Sequence, residues 1–243
     1  MKVIDAFWEK RNLGVDVQEV VCSSLDSESA LRETLLQIRV PYSVVKIPAN
    51  NIPLLLTAQQ CSYVLIETSI SYEGRLNALH TPRFYERFLP RVSFEVATDT
   101  WVERVLDEME AGKVFSTDRI AVDPLFSSVM AGRRYANWCR DELERGAELL
   151  VAYYNDNPVA FNLSREDKER TGAFVGLLGG VFSEYLDKGM GFLLVHCETE
   201  TCRRHGGKWC LGTTSSNNLP SLRLHMHYGF DITSIQYVLI KHQ

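Results

Sequence analysis

The chain has 243 residues, 45% of them apolar and 23% charged, and a formal charge of −5 at pH 7. This is ordinary for a folded protein with a sizeable core, and the acidic balance offers no broad attraction for phosphate backbones or anionic lipid, which argues against nucleic acid or a membrane as partner. Asp5, Glu9, Lys10 and Arg11 interrupt any apolar leader, no apolar run is long enough to span a bilayer, and the six cysteines contain no C-x-x-C pair, so a cytoplasmic protein with free thiols is expected.

Residues 26–38 read as an amphipathic helix, because Leu31, Leu35 and Ile38 recur at helical spacing behind Asp and Ser residues suited to a cap. A β-α-β run follows: a strand over 42–47, a short helix over 53–60 with proline near its first turn, and a strand over 63–71. Charged and turn-forming residues dominate 73–90, which places a boundary there. Residues 1–90 are thus expected to form a smaller N-terminal α/β domain of unassigned role, and residues 91–243 a second unit.

In that second unit 92–97 alternates like a strand, and a helix capped by Thr98 or Asp99 runs through Trp101, Val105 and Met109 to Gly112. Tyr135, Trp138, Cys139 and Leu143 mark another helix, ending near Gly146. Strands over 149–154 and 159–163 flank Asn155-Asp156-Asn157-Pro158, a hairpin signal. A strand over 174–182 carries Gly176, Gly179 and Gly180, and glycine inside a strand marks a bulge or a close approach. A helix from about Met190 to Gly206, a strand over 209–213, a helix over 219–228 and a strand over 232–240 complete the chain, so the fold class is α/β with a mixed sheet.

The central feature is Val181-Phe182-Ser183-Glu184-Tyr185-Leu186-Asp187-Lys188-Gly189-Met190-Gly191, running from a strand through a glycine loop into a helix N-terminus. Such a junction aims unpaired backbone N–H groups and the positive helix end at one point, an arrangement that binds phosphate, and Gly189 and Gly191 let the backbone come close to it. An ordinary glycine turn into a helix would also account for the segment. Downstream, Asn218 opens a helix that ends at Gly229-Phe230, with His225 two turns on and on the same face as Asn218. A plain helix cap and a packed histidine are the alternatives for these two.

These two segments resemble the GNAT superfamily of acetyltransferases. The family's coenzyme loop reads Gln or Arg, two residues, Gly, one residue, Gly or Ala; Gly189 and Gly191 match, and Leu186 stands at the Gln or Arg position. In the family an Asn opens the later helix beside the coenzyme, a Tyr seven residues on protonates the departing thiolate, and Gly-Phe follows; Asn218, Gly229 and Phe230 match, with His225 at the Tyr position. The resemblance covers roughly 92–240.

It implies a GNAT-like fold and an acetyl-CoA-dependent N-acetyltransferase acting on a small-molecule amine. The coenzyme would lie where strand 174–182 parts from strand 209–213, touching Val181, Leu186, Asp187, Lys188, Gly189, Met190, Gly191 and Asn218. Its pyrophosphate would sit at 188–191 and its thioester carbonyl on a free N–H near Val181. His225 would be the acid, with Tyr228 as its alternative, and Glu184 is a candidate base or a solvated charge. A weaker likeness joins Arg119 to Phe126 and Arg134 to Trp138 to the dTDP-fucosamine acetyltransferases, which implies a nucleotide-linked amino sugar as acceptor. Transfer of another acyl group, or a degenerate domain that senses acyl-CoA, are the rival readings. His196, Cys197, Cys202, His205 and Cys210 fit no zinc spacing, so no metal is expected.

Overall fold

A computed structural model describes residues 1–243. The first part of the chain forms β1 (Lys2–Asp5), α1 (Phe7–Leu13), β2 (Val17–Val21), α2 (Glu28–Gln37), β3 (Tyr42–Pro48), α3 (Ile52–Gln60), β4 (Val64–Arg75) and the single-turn α4 (Arg83–Glu86). There follow β5 (Val92–Val96), α5 (Asp99–Glu110), α6 (Ser128–Glu144), β6 (Glu148–Tyr154), β7 (Asn157–Glu166), β8 (Ala173–Val181), α7 (Phe192–Arg204), β9 (Trp209–Ser215), α8 (Leu219–Tyr228) and β10 (Asp231–His242). Side-chain caps open α2, α3, α6 and α8: Ser27, Asn51, Ser127 and Asn218 each accept the backbone N–H three residues on. Asn155 and Asp156 both take positive φ (49° and 62°), the two-residue turn whose twist suits the β6–β7 hairpin. The sequence pattern marks no element before residue 26, because β1 is a four-residue, largely exposed strand and α1 spans two turns, too short for a period to register.

All ten strands join one sheet in the order β1-β2-β3-β10-β4-β9-β8-β7-β6-β5. Only β2–β3 and β8–β9 pair in parallel. The boundary expected near residue 90 does not divide this sheet: β4, from the N-terminal part, pairs antiparallel with β10 on one edge and with β9 on the other, so it fills the centre of the C-terminal half. Nor is 73–90 a bare linker. Tyr85 stacks on Phe192 of α7 at 4.8 Å and Phe88 lies 5.7 Å from the same ring, which anchors the segment to the core.

Alternation along each strand assigns the layers. Leu150 and Ala152 of β6 meet Phe192, Leu193 and Val195 of α7 on one face, while Leu149 and Val151 meet Val105, Leu106 and Met109 of α5 and Cys139 of α6 on the other. Complete burial of a Leu or Phe contributes about 1.5–3 kcal/mol. A third cluster packs Leu31, Leu35, Leu54 and Ala58 of α2 and α3 against Val45, Ile47 and Leu239. Buried ion pairs also cross the expected boundary: Glu9 of α1 meets Arg134 of α6 at 2.7 Å, and Arg119 bonds Glu19 of β2 at 2.8 Å.

A chain beginning at residue 91 would leave β9 and β10 with unpaired inner edges, a state prone to aggregation. The expected outcome is loss of the cooperative thermal transition, checked by circular dichroism. A truncated chain that melts cooperatively at the midpoint of the whole protein would show that β4 is dispensable.

Candidate active site

β8 and β9 are paired only from Ala173 with Trp209 to Gly176 with Gly212. Beyond that point β8 continues to Val181 and β9 to Ser215 without pairing. The cause lies on the opposite edge of β8. There Leu163 pairs with Leu178 and Ser164 with Gly176, so Leu177 is an extra residue, a bulge that bends β8 away from its neighbour. A cavity of about 400 Å³ opens in the gap. Phe182 N–H donates to Val159 at 2.9 Å on the β7 side, so by alternation the N–H groups of Val181 and Gly179 point the other way, into the space that β9 has left. Gly179 lines the cavity and Val181 lies beyond it, towards the loop.

After β8 the chain makes one 3-10 turn at Ser183–Tyr185 and reaches α7 through Leu186 to Gly191. Asp187 and Gly189 take positive φ, 60° and 73°. No acceptor within the chain meets the backbone N–H groups of Gly189, Met190, Gly191 or Phe192, and α7 has no side-chain cap. Four successive donors thus converge at the positive end of a 13-residue helix. A Cβ on Gly189 or Gly191 would meet no atom within 4 Å, so the space beside both is open. The result is an open helix end rich in unpaired donors, an arrangement suited to an anion. Lys188 Nζ lies 5.0 Å from the centre of the Tyr185 ring, Met190 packs on the core and Leu186 is half-exposed.

Three side chains meet where the strands part. Glu198 of α7 packs over Gly176, where a Cβ would lie 2.5 Å from its Oε1, and Tyr72 of β4 reaches across β9 over Gly212, where a Cβ would lie 2.5 Å from its hydroxyl. The last paired residues of the two strands are therefore glycines because polar groups occupy the space above them. His225 of α8 joins the two: its Nε2 is 3.0 Å from the Tyr72 hydroxyl and 3.3 Å from Glu198 Oε2. Nδ1 lies 2.8 Å from the Ser221 carbonyl, which can only accept, so Nδ1 carries a proton. All three side chains are buried and all three line the cavity. Burial opposes the imidazolium, but the Glu198 carboxylate and the Ser221 carbonyl outweigh it and raise the His225 pKa above its usual value. Burial, and then the Glu198 charge, push the Tyr72 phenol far above its normal range.

Of the residues singled out in the sequence, Asn218 and His225 line the cavity in the gap, whereas Val181, Gly189, Met190 and Gly191 belong to the end of β8 and the loop into α7, outside its lining. Asn218 both caps α8, accepting from Ser221 N–H at 3.3 Å, and lines the cavity. Tyr228 is elsewhere. Three residues beyond His225 it is about 4.5 Å further along the helix axis, where its hydroxyl bonds His196 Nε2 at 3.1 Å and its ring stacks on Tyr85. Glu184 also points away, to a surface pair with Arg104. His196, Cys197, Cys202, His205 and Cys210 scatter: His205 meets Glu148 at the surface, and the three thiols are free and buried. Tyr72 and Glu198 escape sequence reasoning, although an acid four residues after Leu194 in the apolar stripe of α7 was a signal, as was a glycine in β9 matching Gly176.

The His196–Tyr228 pair has its own pH signature. Burial and then Arg203 lower the His196 pKa to about 4, so the ring is neutral and accepts the phenolic proton. A histidine with depressed folded pKa stabilises the protein above its unfolded pKa near 6.5 and loses that contribution as pH falls towards 4. Thermal midpoints measured from pH 7 to 4 are expected to fall less steeply in His196→Gln than in the unaltered protein. Parallel curves would mean that His196 is not buried neutral.

No family model and no curated protein sequence matches the chain. Its backbone is similar to that of a conserved protein of unknown function from Staphylococcus epidermidis (TM-score 0.60, 15% identity, covering 94% of this chain and 84% of that one). It is also similar to GCN5-related N-acetyltransferases from Sphaerobacter thermophilus (0.55, 16%, 83% and 59%) and Kribbella flavida (0.56, 12%, 93% and 81%). The fold, with its large mixed sheet, is thus the one found in GCN5-related N-acetyltransferases.

Proposed function

We propose that the protein transfers an acetyl group from acetyl-CoA to the primary amine of a small molecule. Two observations carry this reading, the gap between β8 and β9 and the four unpartnered N–H groups at residues 189–192, which together suit a ligand with a diphosphate at one end and a carbonyl acceptor at the other. In this reading the pyrophosphate rests on Gly189, Met190 and Gly191, with Leu186, Asp187 and Lys188 around it. The Val181 and Gly179 N–H groups take the remaining carbonyls. A donor fixed where negative charge develops on the thioester oxygen lowers the barrier to attack, since it needs no reorganisation. The amine attacks as a neutral nucleophile, and the cluster of Tyr72, Glu198 and His225 supplies the proton that the departing thiolate needs.

The acceptor enters from the other end of the cavity, lined by Phe115, Asp118, Tyr135 and Trp138, with Phe115 stacked on Tyr135 at 4.1 Å. Trp138 is also a wall of a second cavity of about 820 Å³, in which Phe7 and Trp8 stand near Arg11, Arg119 and Arg134. Aromatic rings and guanidinium groups beside the acceptor end support a nucleotide-linked amino sugar as the substrate, with the N-terminal part shaping its site. Acidic partners already pair these arginines, which makes the second cavity suited to a polar ligand rather than a bare anion.

A ligand bound only by the native state raises its thermal midpoint by mass action. Acetyl-CoA at a hundredfold excess over its Kd would stabilise by about 2.7 kcal/mol, some 2–4 °C for each kcal/mol at this size. Gly191 is the informative substitution, because its φ of −57° accepts any residue and no neighbour lies within 4 Å of a new Cβ. Gly191→Leu is expected to keep the unliganded midpoint within a few degrees and to lose the acetyl-CoA shift. A shift that persists in Gly191→Leu would move the pyrophosphate elsewhere, and no shift in the unaltered protein would refute the coenzyme assignment.

A further inference from the structure

We propose that the Tyr72 hydroxyl, contributed by the N-terminal strand β4, is the group that protonates the departing coenzyme A sulfur, with His225 and Glu198 positioning and recharging it. This rests on the acetyl-transfer reading above.

The geometry separates the two states of His225. Because Nδ1–H is committed to the Ser221 carbonyl, a neutral ring has only Nε2 as acceptor, and the Tyr72 O–H at 3.0 Å must point at it. The phenolic proton is then turned away from the cavity. In the imidazolium, Nε2 carries a proton and becomes a donor, shared between the Tyr72 oxygen and Glu198 Oε2 at 3.3 Å. The phenolic hydrogen is released to face the cavity that Tyr72 lines. The same donor stabilises the phenolate that forms when the proton leaves. Tyr72 makes no other side-chain hydrogen bond, so the state of one ring decides the direction of its proton.

The ionisable groups against the His225 ring are Tyr72 from β4 and Glu198 from α7; Ser221 is its partner on α8 itself, and Phe230 meets it edge-on at 5.2 Å. Only Glu198 carries a negative charge among them. Its carboxylate, 3.3 Å from Nε2, outweighs burial and raises the ring's pKa above the ordinary histidine value.

The step balances as follows. The amine nitrogen bonds to the thioester carbon, and the proton it loses passes to water. The carbon–sulfur bond breaks with its electron pair on sulfur, and sulfur takes the phenolic proton of Tyr72. The phenolate recovers a proton from Nε2 of the His225 imidazolium, and solvent returns one to His225. The products are the amide and the free thiol.

The test follows thiol release from acetyl-CoA with a panel of primary amines comprising amino sugars, their nucleotide-linked forms, amino acids and aromatic amines. Tyr72→Phe keeps the ring and removes one hydroxyl. Its kcat is expected to fall about a hundredfold or more, the range of general acid catalysis, while the acetyl-CoA shift in thermal midpoint persists. In Glu198→Gln the loss of the carboxylate returns the His225 pKa towards or below its usual value, so the alkaline fall of kcat moves to lower pH. A purely structural Glu198 would leave that limb in place. If Tyr72→Phe turns over within twofold of the unaltered protein, or the pH limb does not move in Glu198→Gln, the relay is overturned and acetyl transfer stands. If Tyr72→Phe does not fold, the limb in Glu198→Gln decides alone. An unaltered protein that binds acetyl-CoA and releases no thiol with any amine overturns both readings.

Discussion

The hydrogen bonds that β8 and β9 do not make organise the whole site. A parallel pair that ran to the ends of both strands would satisfy its donors internally and leave a closed sheet. Instead the extra residue at Leu177 bends β8 away after Gly176, so the N–H of Gly179 faces a cavity and that of Val181 the space beyond it. An unpaired buried backbone donor costs about 1–3 kcal/mol, so this edge is stable only when water or a ligand meets it. The gap is held open from both sides: β8 stays paired with β7 on either side of the bulge, β9 keeps its ladder to β4, and α7 and α8 pack on one face of the parting. The site is therefore a property of two rigid edges.

The placement of β4 has the larger consequence. A strand from the first third of the chain lies between β9 and β10, so the core of the C-terminal half is incomplete without it. The same strand carries Tyr72, whose partners His225 and Glu198 lie on α8 and α7. Sheet completion and site completion thus depend on the same long-range contacts of β4. The buried pairs of Glu9 with Arg134 and Arg119 with Glu19 follow the same seam between the two parts. Buried ion pairs contribute little net stability once desolvation is counted, but an unpaired member costs several kcal/mol.

Most of the elements, and the glycine loop that leads into α7, are legible in the sequence because their causes are local. Residues 181–191 show a strand, a glycine turn and a helix start in eleven consecutive positions, and Asn218 and His225 share a helix face by spacing alone. Tyr72 and His225 are 153 residues apart, and no periodicity encodes their meeting. The position of β4 in the sheet is hidden for the same reason: pairing partners of an interior strand are chosen by topology, and a strand over 63–71 reads identically at an edge or a centre. The stretch 73–90 looks like a linker from its charges and prolines, yet Tyr85 and Phe88 act as its anchors, and aromatic residues in a polar stretch were the available sign. Tyr228 shows the limit of positional matching, since three residues along a helix were enough to carry its hydroxyl from the cavity to His196.

Two histidines in adjacent helices illustrate how environment alone divides roles. Both are largely buried and both bond a tyrosine hydroxyl. His196 has a cation, Arg203, among its neighbours and no carboxylate partner, so burial wins and the ring stays neutral, an acceptor for Tyr228 in a packed core. His225 is more deeply buried, and that alone would make it neutral too, but Glu198 lies within hydrogen-bond reach and reverses the outcome. Glu198 can come so close because position 176 is glycine, and any side chain there would displace it. A single missing Cβ at the end of a strand pairing thus makes room for the carboxylate that raises the pKa of a ring on another helix.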